Sequence, residues 1–187
     1  MEELDKFMGC VRNDPMYFLI YALATRVGLS ASSILRIKEG DVLKEDFTDA
    51  EGNSLSRTFL RLDGSGFTED RYVVLPNDVA ELFDRYLAVV TPIEGKIFLN
   101  QHNHPLTLKN LDSATERFIR QSGIKRCTMK DLRSRAILEL IKSGNDLDSI
   151  KEYTGLSYMR INTLASSKHL VDRKCPADLV NYELKIS

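Results

Sequence analysis

Three short apolar or alternating runs, Val42-Leu43, Thr58 to Leu62 and Tyr72 to Leu75, lie between two stretches of helical period, and they constrain the fold more than any other feature. Glu51-Gly52-Asn53 and Asp63-Gly64-Ser65-Gly66 separate them. Both are strong turn signals, so consecutive strands fold back on one another as an antiparallel meander. The expected class is α+β, mainly α: helices, then a small three-stranded antiparallel sheet, then a helical half.

Ahead of the sheet, Glu2 to Val11 reads as a short helix with Leu4, Phe7 and Met8 on one side. Asp14-Pro15 fits an N-cap followed by proline at the first helical position. The helix it opens, Met16 to about Arg26, is apolar nearly all round and is expected at the centre of the core. Gly28 ends it, Ser30 caps the next helix, and Ile34, Leu35 and Ile37 face inward.

Beyond the sheet, Pro76 and Asn77 start a helix over Asp78 to Val89, with Val79, Leu82, Phe83, Tyr86 and Leu87 on its apolar face. Ile97-Phe98-Leu99 precedes a turn from Asn100 to His104. His102 and His104 alternate there, but no cysteine or carboxylate completes a metal site. Thr107 to Gln121 is helical, with Leu108, Leu111, Ala114, Phe118 and Ile119 inward and Arg117 and Arg120 outward. Leu147, Ile150 and Tyr153 mark a further helix ended by Gly155, and Met159 to Leu164 another. After Pro176, the residues Val180, Tyr182, Leu184 and Ile186 alternate in strand period while also tolerating a helix.

The stretch TMKDLRSRAILELIKSG, Thr128 to Gly144, joins a helix start to a cationic cluster. Thr128 is an N-cap with Asp131 three residues on, and Ala136, Ile137, Leu140 and Ile141 form the buried stripe. Lys130, Arg133 and Arg135 crowd its first turns, where the helix dipole disfavours cations unless an anion receives them. The formal net charge of -1 hides a polar distribution. From Lys109 to Arg135 there are eight basic residues (Lys109, Arg117, Arg120, Lys125, Arg126, Lys130, Arg133, Arg135) against three acids; from Lys38 to Asp70 there are four against nine.

With 187 residues, 43% apolar and 28% charged, the chain can bury one core, and it is read as one domain over 1–187, with a short N-terminal helix (1–15) and a C-terminal tail (166–187). Cys10, Cys127 and Cys175 show no paired spacing, so a reducing cytoplasm is expected. The longest apolar run, Met16 to Leu23, is too short to span a membrane. The loop DFTDAEGNS misses the ligand spacing of a calcium loop. No cofactor is expected.

The order of elements, with GLSASSILRIKEGDV early, RYVVLPNDVAELFDRYL in the middle and IFLNQHNHPLTLKNLDSATERFIRQSGI leading into TMKDLRSRAILELIKSGNDLDSIKEYTGLS, resembles the catalytic domain of the tyrosine recombinase or phage integrase family, from about Tyr17 to Ala165. The resemblance implies DNA strand exchange, in which a tyrosine attacks the scissile phosphate while two arginines, a lysine and one or two His/Trp donors hold it. It places the first arginine on Ser30, its neighbouring glutamate on Ser33, the next His/Trp donor on Leu156 and the nucleophile near Ala165. The hairpin lysine belongs within Asp63 to Asp70, which holds none. Lys130 and Arg133 match the family's His/Lys-x-x-Arg element. Arg26 sits four residues ahead of Ser30, before the Gly28 turn, and points elsewhere.

Phosphoryl transfer needs cations preorganised around the developing charge, so the resemblance implies a non-catalytic member with the fold, not an enzyme. The expected function is DNA binding, regulatory or architectural, through phosphate contacts from Lys109, Arg117, Arg120, Lys125, Arg126, Lys130, Arg133 and Arg135. Two alternatives stand beside it. One is a protein-interaction module, a homo-oligomer formed through Val180, Tyr182, Leu184 and Ile186 without DNA; the other is an active recombinase with Tyr158 or Tyr182 displaced into the site. Asp63, Glu69 and Asp70 at the hairpin oppose phosphate approach. Arg133 also has a structural reading, a buried arginine bridging backbone carbonyls within the helical half.

Overall fold

The computed structural model describes residues 2–48, 52, 54–64 and 70–167. The tail surface expected at Val180, Tyr182, Leu184 and Ile186 lies outside them, as do Glu69 and Cys175. In chain order come α1 (Glu2–Val11), α2 (Pro15–Ala22), a π-type turn (Leu23–Val27), α3 (Ala31–Arg36), a short 3-10 turn (Glu39–Asp41), β1 (Val42–Thr48), β2 (Ser54–Leu62), β3 (Arg71–Val74), α4 (Asn77–Leu87), α5 (Leu108–Ser122), α6 (Met129–Lys142), α7 (Leu147–Thr154) and α8 (Tyr158–Ser167).

The helix starts follow from their own side chains. The Asp14 carboxylate accepts from the Tyr17 N–H, and the Ser30 hydroxyl from the Ser33 N–H. Thr107 with Asn110, and Thr128 with Asp131, form reciprocal capping boxes. One expectation needs correcting: the central helix is not regular from Met16 to Arg26. Regular winding stops at Ala22, because Gly28, left-handed at φ 74°, donates its N–H back to the Leu23 carbonyl and closes a wider turn.

The sheet is the expected meander, in the order β1-β2-β3 and antiparallel throughout. Leu60 stands opposite Val42 on one side and Val73 on the other. β1 extends well past Val42-Leu43, since Lys44, Glu45 and Asp46 pair with Thr58, Arg57 and Ser56. A polar run can extend a strand when its backbone finds a partner and its side chains find solvent.

Two apolar clusters hold the molecule together. The larger centres on α2, where Leu19, Ile20 and Tyr21 are wholly buried, and it collects Phe7, Leu60, Val73, Phe83 and Phe118 from α1, the sheet, α4 and α5. The Tyr21 ring meets Phe7 edge-on at 4.9 Å, and its hydroxyl shares a 2.9 Å hydrogen bond with Thr115. Leu108, expected inward, is half-exposed, because it occupies the first turn of α5 on the solvent side. The smaller cluster, Ile137, Ile150, Leu156 and Ile161, joins the second half of α6 to α7 and α8. α6 contributes to both clusters, since Met129 and Leu132 of its first turn belong to the larger one. No described helix is long and apolar enough to cross a membrane.

Candidate nucleic-acid interface

The capping box at the start of α6 engages Asp131, the acid of its first turn. Asp131 accepts from the Thr128 N–H at 3.0 Å and from its hydroxyl at 2.7 Å. Lys130 is exposed, whereas Arg133, one turn further on, points inward and is half-buried. Its Nε donates to the Gly28 carbonyl at 2.8 Å and its Nη2 to the Thr154 carbonyl at 3.0 Å. These carbonyls close the π-type turn and α7, the chain ends where helical carbonyls lack partners. Arg133 thus clamps α6 to two helix termini, as its structural reading expects. Gly28 is favoured there by its left-handed φ of 74°, and a Cβ would stand in ordinary contact with Ala136 at 3.6 Å and Ile137 at 3.7 Å.

A second arginine comes to the same place. Arg71 opens β3, and its guanidinium lies directly against Gly155, where an added Cβ would be 1.5 Å from Nη1 and 2.5 Å from Cζ. Gly155, at φ 66°, ends α7 in the left-handed conformation and leaves the space that Arg71 fills. Next to it, Tyr153 donates its hydroxyl to the Val74 carbonyl at 3.1 Å and ties α7 to β3. Burial lowers the pKa of Arg71; burial, then the charges of Arg71 and Arg160, lower that of Arg133. Both remain cations. Sequence reasoning missed Arg71 and Arg160. Arg71 follows Glu69 and Asp70 in the chain and reads there as part of an acidic hairpin.

The eight cations from Lys109 to Arg135 do not share one face. Arg117 and Arg120 line a groove with Tyr17, Asn100, Gln101 and His102, in which Asp14 is the sole acid. Arg117 rests its guanidinium over the Phe118 ring, 4.6 Å from the centroid. Arg126 and Arg135 line a different groove, between α1 and α6, where Glu3, Asp131 and Glu139 offset them. Lys109, Lys125 and Lys130 are exposed. The turn expected at His102 and His104 is present, with the Asn100 side chain accepting from both backbone N–H groups. The described residues hold no cluster of metal-ligating side chains.

At the hairpin, Asp70 accepts from the Gly64 N–H at 2.9 Å, and Asp63 lies 4.0 Å from Arg61. Asp70 thereby bridges the two ends of the hairpin loop, while Asp63 faces Arg61 at the end of β2. Arg26 forks onto Asp78 through Nε at 3.0 Å and Nη2 at 3.3 Å. Ser30 is spent capping α3 and sits 2.8 Å from the Ser33 hydroxyl. Leu156 and Ala165 are buried, at 8% and 1% exposure. Tyr158, at the start of α8, donates its hydroxyl to Asp148, and that hydrogen bond pushes its phenol above the ordinary value.

Comparisons with known proteins agree with this architecture. Two curated relatives, each named tyrosine recombinase XerC, from two strains of Lactobacillus delbrueckii subsp. bulgaricus, are 26% identical over 86% of this chain and 52% of their own. The chain thus spans about half the length of these relatives. The crystal structure of XerA recombinase superposes with a TM-score of 0.72 at 16% identity, covering 92% of this chain and 60% of that one. XerH site-specific recombinase, bound to its difH substrate in a pre-cleavage complex, gives 0.68 at 20% identity over 91% of this chain and 51% of that one. The model of the phage integrase family matches residues 1–164, nearly the whole of the described structure, and the chain belongs to that family.

Proposed function

We propose that this chain is a DNA-binding module of recombinase fold that contacts duplex phosphates and does not cleave them, in a regulatory or architectural role. The absence of cleavage rests on one observation: Leu156 and Ala165, at the positions where the resemblance calls for a donor and a nucleophile, are packed into the apolar interior. A tyrosine hydroxyl cannot attack, nor a donor hold a phosphate, from positions occupied by hydrocarbon. Tyr158 stands at the exposed start of α8, seven residues ahead of Ala165, the position to which the resemblance assigns the nucleophile. DNA binding is supported by the groove of Arg117 and Arg120, whose cations face a single acid, and by the fold shared with a recombinase described as bound to its DNA site.

The test uses a fluorescent duplex, a four-way junction and a nicked suicide duplex. We expect affinity for duplex or junction that falls steeply with salt, and no covalent protein–DNA adduct. Loss of all binding at low ionic strength would remove the DNA-binding reading. An adduct that survives denaturing electrophoresis would remove the non-catalytic one.

A further inference from the structure

The groove beside α5 is more than a patch of surface cations. Asn110, Ser113, Arg117 and Arg120 recur at helical spacing and form one wall, the start of α2 forms another with Tyr17, and the turn from Asn100 closes a volume of about 720 Å³. That turn is locked by its own hydrogen bonds. Asn100 donates its N–H to the His104 carbonyl at 2.8 Å, and its side chain accepts from the His102 and His104 N–H groups. Arg117 is held over rings. Its guanidinium carbon lies 4.6 Å from the centroid of Phe118 and 5.8 Å from that of Tyr17. Both rings pack on Tyr21, at 6.1 and 6.3 Å, and Tyr21 is wholly buried. A guanidinium that covers rings on one side keeps its other side in solvent, and Arg117 is exposed. Neither Arg117 nor Arg120 forms an ion pair with a carboxylate among the described residues. The acid of the groove, Asp14, accepts from the Tyr17 N–H as the N-cap of α2.

We propose that this groove takes one unpaired nucleotide of a single DNA strand, its base stacked on the Arg117 guanidinium and its phosphate held by Arg120. A duplex keeps its bases paired and stacked within and offers such a groove phosphate alone, whereas an unpaired strand offers a flat base as well. A guanidinium plane stacks on any base, so the contact does not depend on sequence. Arg120 stands one turn along the same face, about 5–6 Å from Arg117 between Cβ atoms, which suits the phosphate of the stacked nucleotide. Gln101 and His102 line the turn side with groups that donate and accept hydrogen bonds, as base edges do. An acidic peptide would engage both charges but leave the stacking face unused. The proposal rests on the DNA-binding reading above and names the form of DNA that this groove accepts.

Fluorescence anisotropy of the full chain at low ionic strength tests the groove with a short single strand, the duplex of the same sequence, and an abasic strand that keeps the phosphates and lacks the bases. The abasic strand is expected to bind about tenfold more weakly than the ordinary one, the loss of one stacked base. Arg117→Lys keeps the charge and loses the plane, so it should weaken the single strand about tenfold and leave duplex affinity nearly unchanged. Arg120→Gln should take about 0.7 from the salt slope of single-strand affinity. In the unaltered chain, the NMR signals of the Gln101 and His102 amides and of the Arg117 Nε–H should shift together and saturably as the strand is added. An abasic strand that binds as tightly as the ordinary one, or no shift at those residues, overturns the stacking groove. Decaglutamate that displaces the strand as readily as unlabelled strand does would make the ligand an acidic peptide and overturn it too. AMP that displaces the strand at equal nucleotide concentration overturns a strand as the source of the nucleotide. Duplex binding without any single-strand binding refutes the groove and leaves the DNA-binding reading standing; binding of neither refutes both.

Discussion

Replacing Arg133 by alanine separates its structural duty from any phosphate contact. The substitution removes two charge-assisted hydrogen bonds, to the Gly28 and Thr154 carbonyls, and leaves two helix-terminal acceptors open. Such bonds contribute about 1.5–3 kcal/mol each. Arg133 is half-buried, so water can reach the freed carbonyls and the low end applies, about 3 kcal/mol for the two together. Relief of repulsion from Arg71 and Arg160 offsets part of this, on the order of 1 kcal/mol or less. A net loss of about 2–3 kcal/mol, at about 2–4 °C per kcal/mol for a domain of this size, lowers Tm by roughly 4–12 °C. Calorimetry gives Tm, and urea unfolding checks that the slope m is unchanged. Arg133→Lys keeps a charge but cannot fork between two carbonyls, so its stability should fall nearly as far. If Arg133→Ala unfolds within 1 °C of wild type, the two hydrogen bonds carry no net stability and Arg133 is not a clamp between helix termini.

Gly155→Ala is expected to destabilise by about 1 kcal/mol for the left-handed φ of 66°, while the Arg71 guanidinium, the far end of a flexible side chain, swings aside at little cost. The backbone cost is the same in an Arg71→Ala background, so urea midpoints of the four proteins should be close to additive. High pH should destabilise the fold. Burial, aided by Asp131 and Glu3, pushes the Cys127 thiol up to about 11, burial pushes Tyr86 up to about 12, and burial raises Tyr21 further. Each group holds its proton longer folded than unfolded, so its stabilising effect is whole below the unfolded pKa and is lost as pH rises through the folded one. The urea midpoint should thus decline from about pH 9 to 12. A midpoint constant over that window would contradict the burial of these three groups.

What was legible in the chain is what the chain settles locally. Asp14, Ser30, Thr107 and Thr128 cap their own helices within three residues, and the turn signals around Gly52 and Gly64 separate strands that then pair as neighbours. The π-type turn escaped because it depends on Gly28 reaching back to Leu23, while the surrounding residues read as uninterrupted helix. The basic run from Lys109 to Arg135 was legible as a count but not as a surface. Arg133 and Arg135 stand two residues apart on one helix, about 200° around its axis, and they face different neighbours. Arg71 was the costliest omission. Its charge in sequence is cancelled by Glu69 and Asp70, yet in space it meets Gly155, more than eighty residues away, because Tyr153 holds α7 against β3.

Arg133 alone does not argue for phosphate handling. It joins the π-type turn, α6 and α7 through two carbonyls, so a chain that never touched DNA would still lose stability without it. Leu156 and Ala165 have no polar duty, and apolar packing suffices to explain them. The discriminating residues are therefore those whose positions stability does not favour. Arg71 and Arg160 stand beside a third cation and form no ion pair with a carboxylate among the described residues, and Arg120 lines a groove with one acid. A fold selected for stability alone gains nothing from gathering unpaired like charges, so replacing Arg160 should leave Tm unchanged or raise it. If Arg160→Gln instead lowers Tm by several degrees, Arg160 holds the fold together and its place beside Arg133 is structural.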